Sequence, residues 1–204
     1  MKETVVLLVS FCVGAVPFSY LVAQSVAGAD LRTVGNGTVS GTALYRVAGF
    51  LPLVVGGVLD VVKGLPGVML ADGAPVLAAF AAFAAVAGHN WSPFIGGAGG
   101  RGLSPAMGAL LVVAWPGTVL LLGGLALGRL ANHTGLSTFL SLLVLPWLLL
   151  LTHGSAAMLA GWLIIIPILM KRMVGNSRLP RTPDRPRMVT RRLLFDNDGL
   201  TGTP

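Results

Sequence analysis

Apolar residues in this chain come in long runs, separated by short stretches rich in glycine, threonine and arginine. A run of about 18 to 25 apolar residues crosses a bilayer as a helix. The first run, 4–27, holds Pro17 beside Phe18-Ser19-Tyr20, where a proline frees a carbonyl and kinks the helix. A polar loop over 30–46 follows, and then a second run over 47–71. The third, 74–94, is rich in the alanine and glycine that let helices approach closely in lipid. A fourth covers 105–128. The stretch 136–172 is interrupted by Pro146, by His153-Gly154-Ser155 and by Pro167. It reads as two short spans, or as one span with a re-entrant piece. The pattern predicts an all-α integral membrane protein, a polytopic helical bundle of about five to seven spans with broken or re-entrant helices.

Composition narrows this further. Of 204 residues, 54% are hydrophobic and 10% charged, which excludes a soluble globular domain. The N-terminal run is too long and too lightly charged for a cleaved signal peptide, so it is read as the first span. The single Cys12 lies in that run and excludes a disulfide framework or a cysteine-based metal site. No strand–helix alternation suggests a nucleotide fold, and there is no Ser-His-Asp spacing, paired carboxylate or metal-ligand cluster. Neither a cofactor nor a metal is expected. Residues 1–175 read as one membrane domain. From Asn176 onward the chain is polar and proline-bearing, and is expected to be a disordered basic tail that lies on anionic lipid.

The net charge of +7 sets orientation rather than nucleic-acid binding. Lys171, Arg172, Arg178, Arg181, Arg185, Arg187, Arg191 and Arg192 face only Asp184, Asp196 and Asp198 in the C-terminal stretch. The excess of basic residues on cytoplasmic loops places this tail in the cytoplasm, together with Arg32, Arg46 and Arg101, and the N-terminus outside. Arg101 and the tail then need an even number of crossings between them. With one crossing over 105–128, the stretch 136–172 must supply one net crossing or three, which puts the broken or re-entrant helix there.

Candidate chemistry sits in two loops and one apolar run. Residues 88–102 hold Gly96, Gly97, Gly99, Gly100 and Gly102 around Arg101. Glycine leaves backbone amides open to a ligand, and arginine offers a donor fork suited to phosphate. The other reading is a flexible turn whose arginine sets topology. The first loop offers Gly35, Asn36, Gly37, Thr38, Ser40, Thr42 and Arg46 as donors to an oxyanion, or as ordinary turn residues and helix caps. Asp60 and Lys63 lie three apart within an apolar run and share a helix face. They either lock helices together or line a pocket. His89, at the end of a run, is an interface anchor, a proton carrier or a phosphate contact.

These pieces in order resemble the bacterial acyl-phosphate:glycerol-3-phosphate acyltransferases of the PlsY type. Pro17-Phe18-Ser19-Tyr20-Leu21-Val22-Ala23 is similar to P-F-G-Y-L-x-A. Asp30-Leu31-Arg32-Thr33-Val34-Gly35-Asn36-Gly37, with Thr42 and Arg46, is similar to D-I-R-x-x-G-S-G-N-x-G-A-T-N-x-x-R. Leu59-Asp60-Val61-Val62-Lys63-Gly64 matches L-D-x-x-K-G, and Gly88-His89 with Gly99-Gly100-Arg101-Gly102 matches G-H and G-G-K-G. The resemblance implies a seven-helix multi-pass protein of the cell inner (plasma) membrane. It implies transfer of a fatty acyl group from acyl phosphate to glycerol 3-phosphate, giving lysophosphatidate. Arg101, Arg46, Asn36 and His89 would be catalytic. Gly99, Gly100 and Gly102 with Arg101 would hold one phosphate, Arg46 and Thr42 the other anion, and Gly35, Gly37, Thr38 and Ser40 would also bind substrate. Asp60 and Lys63 would support the site.

The chain also departs from that pattern. Asn36 stands for serine, Thr38 for asparagine, Ser40 for glycine and Arg101 for lysine. Ala98 stands for an upstream lysine. Of a C-terminal H-x-E-N-I-x-R-L motif only Arg172 remains, with Ile166, Ile168 and Leu169 at the polar positions. A second reading is therefore a catalytically lapsed relative that binds a phosphorylated lipid precursor or partners a lipid enzyme. A small-solute transporter fits the composition but not the ordered motifs.

Overall fold

The computed structural model describes residues 1–176 and 184–196. These form α1 (Lys2–Ala15), α2 (Phe18–Ala27), α3 (Gly41–Ala48), α4 (Phe50–Val62), α5 (Leu65–Leu70), α6 (Pro75–Asn90), α7 (Leu103–Val113), α8 (Trp115–Leu130), α9 (Thr134–His153), α10 (Ser155–Val174) and α11 (Arg185–Phe195). No strand appears among the described residues. Among the described residues, four stretches are long and apolar enough to cross a membrane: Lys2–Ala27, Phe50–Leu70, Thr134–His153 and Ser155–Val174.

Pro17 separates α1 from α2, as its position in the first run predicts. The second run bends likewise, between α4 and α5 at Lys63-Gly64. The polar loop is shorter than expected, because Ser40 caps a helix that starts at Gly41. Its hydroxyl accepts from the Ala43 amide at 3.4 Å, satisfying one of the donors left open at a helix start.

The largest difference lies between 105 and 172. The stretch 136–172 is not broken or re-entrant. It forms two full antiparallel helices, α9 and α10, turning at Gly154 (φ 84°). Pro146 and Pro167 sit inside these helices, and neither ends one. Pro146 is packed against Gly161, where a side chain would meet its Cα at 3.0 Å. Buried proline in lipid is tolerated where neighbouring helices pack the distortion. The break falls instead at Ala114, in the run read as a single crossing. Thr118 donates to the Met107 carbonyl at 2.8 Å. In a continuous helix, residues eleven apart would be separated by about 16 Å, so the chain reverses between α7 and α8. The sequence reason is Trp115-Pro116-Gly117. Proline is favoured in the first turn of a helix and disfavours helix before it, and α8 starts there.

Among the described residues the chain runs along the bundle seven times, in passes α1–α2, α4–α5, α6, α7, α8, α9 and α10. Lys2 reaches Asp72 at 3.1 Å, which places the N-terminus beside the α5–α6 turn. At the opposite end, Ser92 donates to the Ala15 carbonyl and Asn90 to the Pro167 carbonyl. Four passes separate the glycine loop from α11, so the even count required by charge holds, though by a different route. The apolar core lies where α6, α7, α8, α9 and α10 meet, around Val86, Leu110, Leu121, Leu145 and Ile164. In a Cys12→Ala background, cysteines introduced at 72 and 154 should react with an impermeant maleimide from one side, and cysteines at 97 and 132 only from the other. Labelling of 97 and 154 from the same side would refute the two hairpins.

The stretch from 176, expected to be disordered, contains α11. Met188 and Arg192 are buried. Arg192 donates to the Val174 carbonyl, and Arg172 to the carbonyls of Gly135 and Leu193. Long cationic side chains cover apolar surface with their stems and satisfy helix-end carbonyls with their heads. The parts of the expected tail at 177–183 and 197–204 lie outside the described residues.

Candidate functional site

Two loops meet at the end of the bundle away from the N-terminus. Val39 donates its amide to the Gly99 carbonyl at 3.1 Å, which joins the first loop to the glycine loop directly. Each loop is shaped locally first. Asp30 accepts from the Arg32 amide and guanidinium, and that contact holds its carboxyl below the ordinary carboxylate range. Asn36 Oδ1 accepts from the Thr38 amide at 3.2 Å, closing a tight side-chain turn. Arg46 and Thr42, four apart on α3, share an exposed face. Arg46 lies beside Gly35, where a side chain would meet its guanidinium at 3.3 Å.

In the glycine loop, the glycines serve approach more than open amides. A side chain at Gly99 would meet the Asn90 carbonyl oxygen at 2.3 Å, and one at Gly100 would meet His89 Nε2 at 2.1 Å. Gly102 has φ +77°, which L side chains rarely adopt, at the start of α7. The amides of Gly96, Gly97, Ala98 and Gly100 are taken by the carbonyls of Pro93, Ser92, Ile95 and His89. Those of Gly99, Arg101 and Gly102 have no backbone partner among the described residues. They adjoin the first turn of α7, whose N-terminal amides favour an anion.

Asp60 and Lys63 pair at 2.7 Å, 3% and 2% exposed, as their spacing predicts. Ser19 donates to Asp60 Oδ2, and Lys63 donates to the Val16 carbonyl, just before Pro17. His89 Nδ1 lies 3.9 Å from Asp60 Oδ1. The buried charges therefore sit under the loops: Asp60 beneath His89, and His89 beneath Gly100. Arg101 is 8% exposed and turned toward the C-terminal end of the chain. Its Nε lies 2.7 Å from Asp196 Oδ1, and its Nη1 donates to the Lys171 carbonyl.

The expected residues thus fall into three groups. Gly35, Asn36, Gly37, Thr38, Ser40, Thr42 and Arg46 form one wall, and Gly99, Gly100, Arg101 and Gly102 the other. Asp60, Lys63 and His89 form the floor. Three residues were not singled out from the sequence. Ser19 was visible in the P-F-S-Y segment, one turn from a kink. Lys171 counted there only toward topology, yet it is buried, with Nζ 5.5 Å from the Trp91 ring and 3.5 Å from the Gly97 carbonyl. Asn176, assigned to the tail, donates to the Gly37 and Gly99 carbonyls at 2.8 Å each.

A family model described as glycerol-3-phosphate acyltransferase matches residues 4–178. A relative from Moorella thermoacetica, "Glycerol-3-phosphate acyltransferase 2", is 36% identical over 72% of this chain and 77% of its own length. One from Thermotoga petrophila, "Glycerol-3-phosphate acyltransferase", is 31% identical over 85% and 89%. The fold is similar to the crystal structure of PlsY (YgiH), an integral membrane glycerol 3-phosphate acyltransferase, in its glycerol 3-phosphate form. That likeness has a TM-score of 0.72 at 23% identity, over 88% of this chain and 96% of the other.

Proposed function

Because the chain belongs to the glycerol-3-phosphate acyltransferase family, we propose that it moves a fatty acyl group from acyl phosphate to glycerol 3-phosphate, in phospholipid synthesis. The observation that carries this reading is the Val39–Gly99 hydrogen bond, which sets an arginine-bearing wall against an amide-bearing one. Two anionic substrates must meet there, and each wall supplies donors for one.

The roles follow from placement. The open amides of Gly99, Arg101 and Gly102 at the start of α7 hold the phosphate of the donor, and Arg101 adds charge beside them. Arg46 and Thr42 hold the phosphate of glycerol 3-phosphate, with Asn36, Thr38 and Ser40 turning the loop toward it. The acceptor hydroxyl attacks the acyl carbonyl, the new ester bond forms, and the bond to phosphate breaks. The hydroxyl proton ends on the released phosphate, so no residue changes its protonation state over the cycle. Catalysis then rests on positioning and on donors aimed at developing negative charge. His89, Asp60 and Lys63 hold the glycine loop from below.

The basic residues favour a cytoplasmic site. Arg32, Arg46, Arg101, Lys171 and Arg172 lie at the site end, and Lys2 at the other.

Purified protein given palmitoyl phosphate and labelled glycerol 3-phosphate should form lysophosphatidate. Arg46→Ala should raise the KM for glycerol 3-phosphate about tenfold, the worth of one hydrogen bond to a charged group. Absence of product, or a double Arg46→Ala, Arg101→Ala variant equal to wild type, would overturn the reading. Binding without transfer is the second reading. It is favoured by Ile168, fully buried where the resemblance has a polar residue, and saturable binding of glycerol 3-phosphate with no turnover would establish it.

A further inference from the structure

Asn176 stands two residues past the end of α10, outside every segment to which the sequence assigned chemistry. Its side-chain amide spans the gap between the two walls. Nδ2 donates to the Gly37 carbonyl and to the Gly99 carbonyl, 2.8 Å from each. These partners lie 139 and 77 residues away in the chain, so no local turn brings them together. An amide nitrogen carries two hydrogens, and two carbonyl oxygens are what it can satisfy. The reverse orientation would set an oxygen against two oxygens, so the network fixes which atom faces the loops. The backbone bond from Val39 to Gly99 is the neighbouring tie across the same gap. A side chain at Gly37 would come 2.9 Å from the Arg32 carbonyl, so that strand of the loop is pressed inward against Asn176 and its own turn.

Two polar atoms at this junction remain open. Thr38 Oγ1 and Asn176 Oδ1 are buried without a hydrogen-bond partner among the described residues. Such atoms cost free energy unless a ligand or water meets them.

We infer that Asn176 is a positioning residue for acyl transfer, setting the separation of the two anion-holding walls by donating one hydrogen to each. The inference rests on the acyltransferase reading for its kinetic consequence, and on geometry alone for the clamp. It ties the last pass to catalysis: the C-terminal end of α10 fixes how far apart the two phosphates are held.

The test compares Asn176→Ala, Asn176→Asp and Asn176→Gln in the full chain. Asn176→Ala should lower kcat/KM on the order of tenfold, the effect of two neutral hydrogen bonds, with the thermal midpoint in detergent unchanged. Amide hydrogen exchange should rise together over 35–42 and 97–102 and stay at wild-type rates in α9. Asn176→Gln keeps both donors and should recover most of the rate. Asn176→Asp keeps the shape but presents oxygen to both carbonyls, and should lose at least as much as alanine. If Asn176→Ala fails to fold, the glutamine–aspartate contrast decides. Wild-type rates for Asn176→Asp, or unchanged exchange in both loops of Asn176→Ala, would overturn the clamp. If wild-type protein transfers no acyl group, the acyltransferase reading falls by itself, while the exchange measurement still decides whether Asn176 holds the loops.

Discussion

Asp60→Ala is expected to destabilise the bundle by about 3–5 kcal/mol, the cost of leaving one partner of a buried ion pair alone. Lys63 is 2% exposed. Its ammonium rests on Asp60 and on the Val16 carbonyl, with the Phe18 ring at 5.9 Å. Removing the carboxylate strands that charge in lipid-embedded protein, and the Ser19 hydroxyl loses its acceptor. Thermal unfolding in detergent, followed by tryptophan fluorescence, should shift well below wild type, and acyl transfer should vanish. A double Asp60→Leu, Lys63→Met variant should regain most of the stability, because apolar residues of similar volume often replace a buried pair without penalty. It should not regain activity if the pair supports the loops above it. A wild-type unfolding temperature for Asp60→Ala would show that the pair does not hold the fold.

Gly100→Ala is the second large effect, and it acts through space rather than charge. The added methyl would lie 2.1 Å from His89 Nε2 and 2.7 Å from the Val39 carbonyl oxygen. His89 is 8% exposed, and Val39 belongs to the opposing wall. The cheapest relief is to push the two loops apart. Overpacking of this kind costs about 1–3 kcal/mol. Acyl transfer should therefore fall roughly ten- to a hundredfold, with a smaller change in unfolding temperature than Asp60→Ala gives. Gly96→Ala, where a side chain meets nothing within 4 Å, is the control for the loop. Its φ of +68° adds strain without a clash, so it should lose less activity. Equal losses at both positions would mean that loop flexibility, not wall spacing, is what matters.

Charge and spacing carried much of the architecture in the sequence. Asp60 and Lys63 announced a shared face by being three apart, and they pair. Basic residues at the ends of apolar runs placed Arg32, Arg46 and Arg101 at one end, where the loops touch. The hairpin at Ala114 was not evident because Pro146, Pro167 and His153-Gly154-Ser155 point to a break in 136–172, whereas the chain turns at Pro116. Proline alone does not decide. Pro146 and Pro167 lie in helix interiors packed by neighbours, whereas Pro116 stands at a helix start beside a glycine. That distinction depends on partners far away in sequence. Asn176 was illegible for the same reason, since nothing local marks an asparagine that bonds residues 37 and 99. In the glycine loop, what the sequence does not show is that Gly99, Gly100 and Gly102 also admit close contacts with α6 and the first loop.

The shortness of α7 has a consequence for how substrates arrive. Eleven residues rise about 16 Å, roughly half of a 30 Å hydrocarbon layer. A helix that starts at the glycine loop and turns at the far surface must begin well below the near one. The reacting groups would therefore meet below the near surface, among the fatty chains. A tailed donor would reach that depth sideways from the leaflet, while its water-soluble partner would have to descend from the near surface. Thinner bilayers should shorten that descent, so turnover in vesicles of short-chain phosphatidylcholine should exceed turnover in long-chain ones.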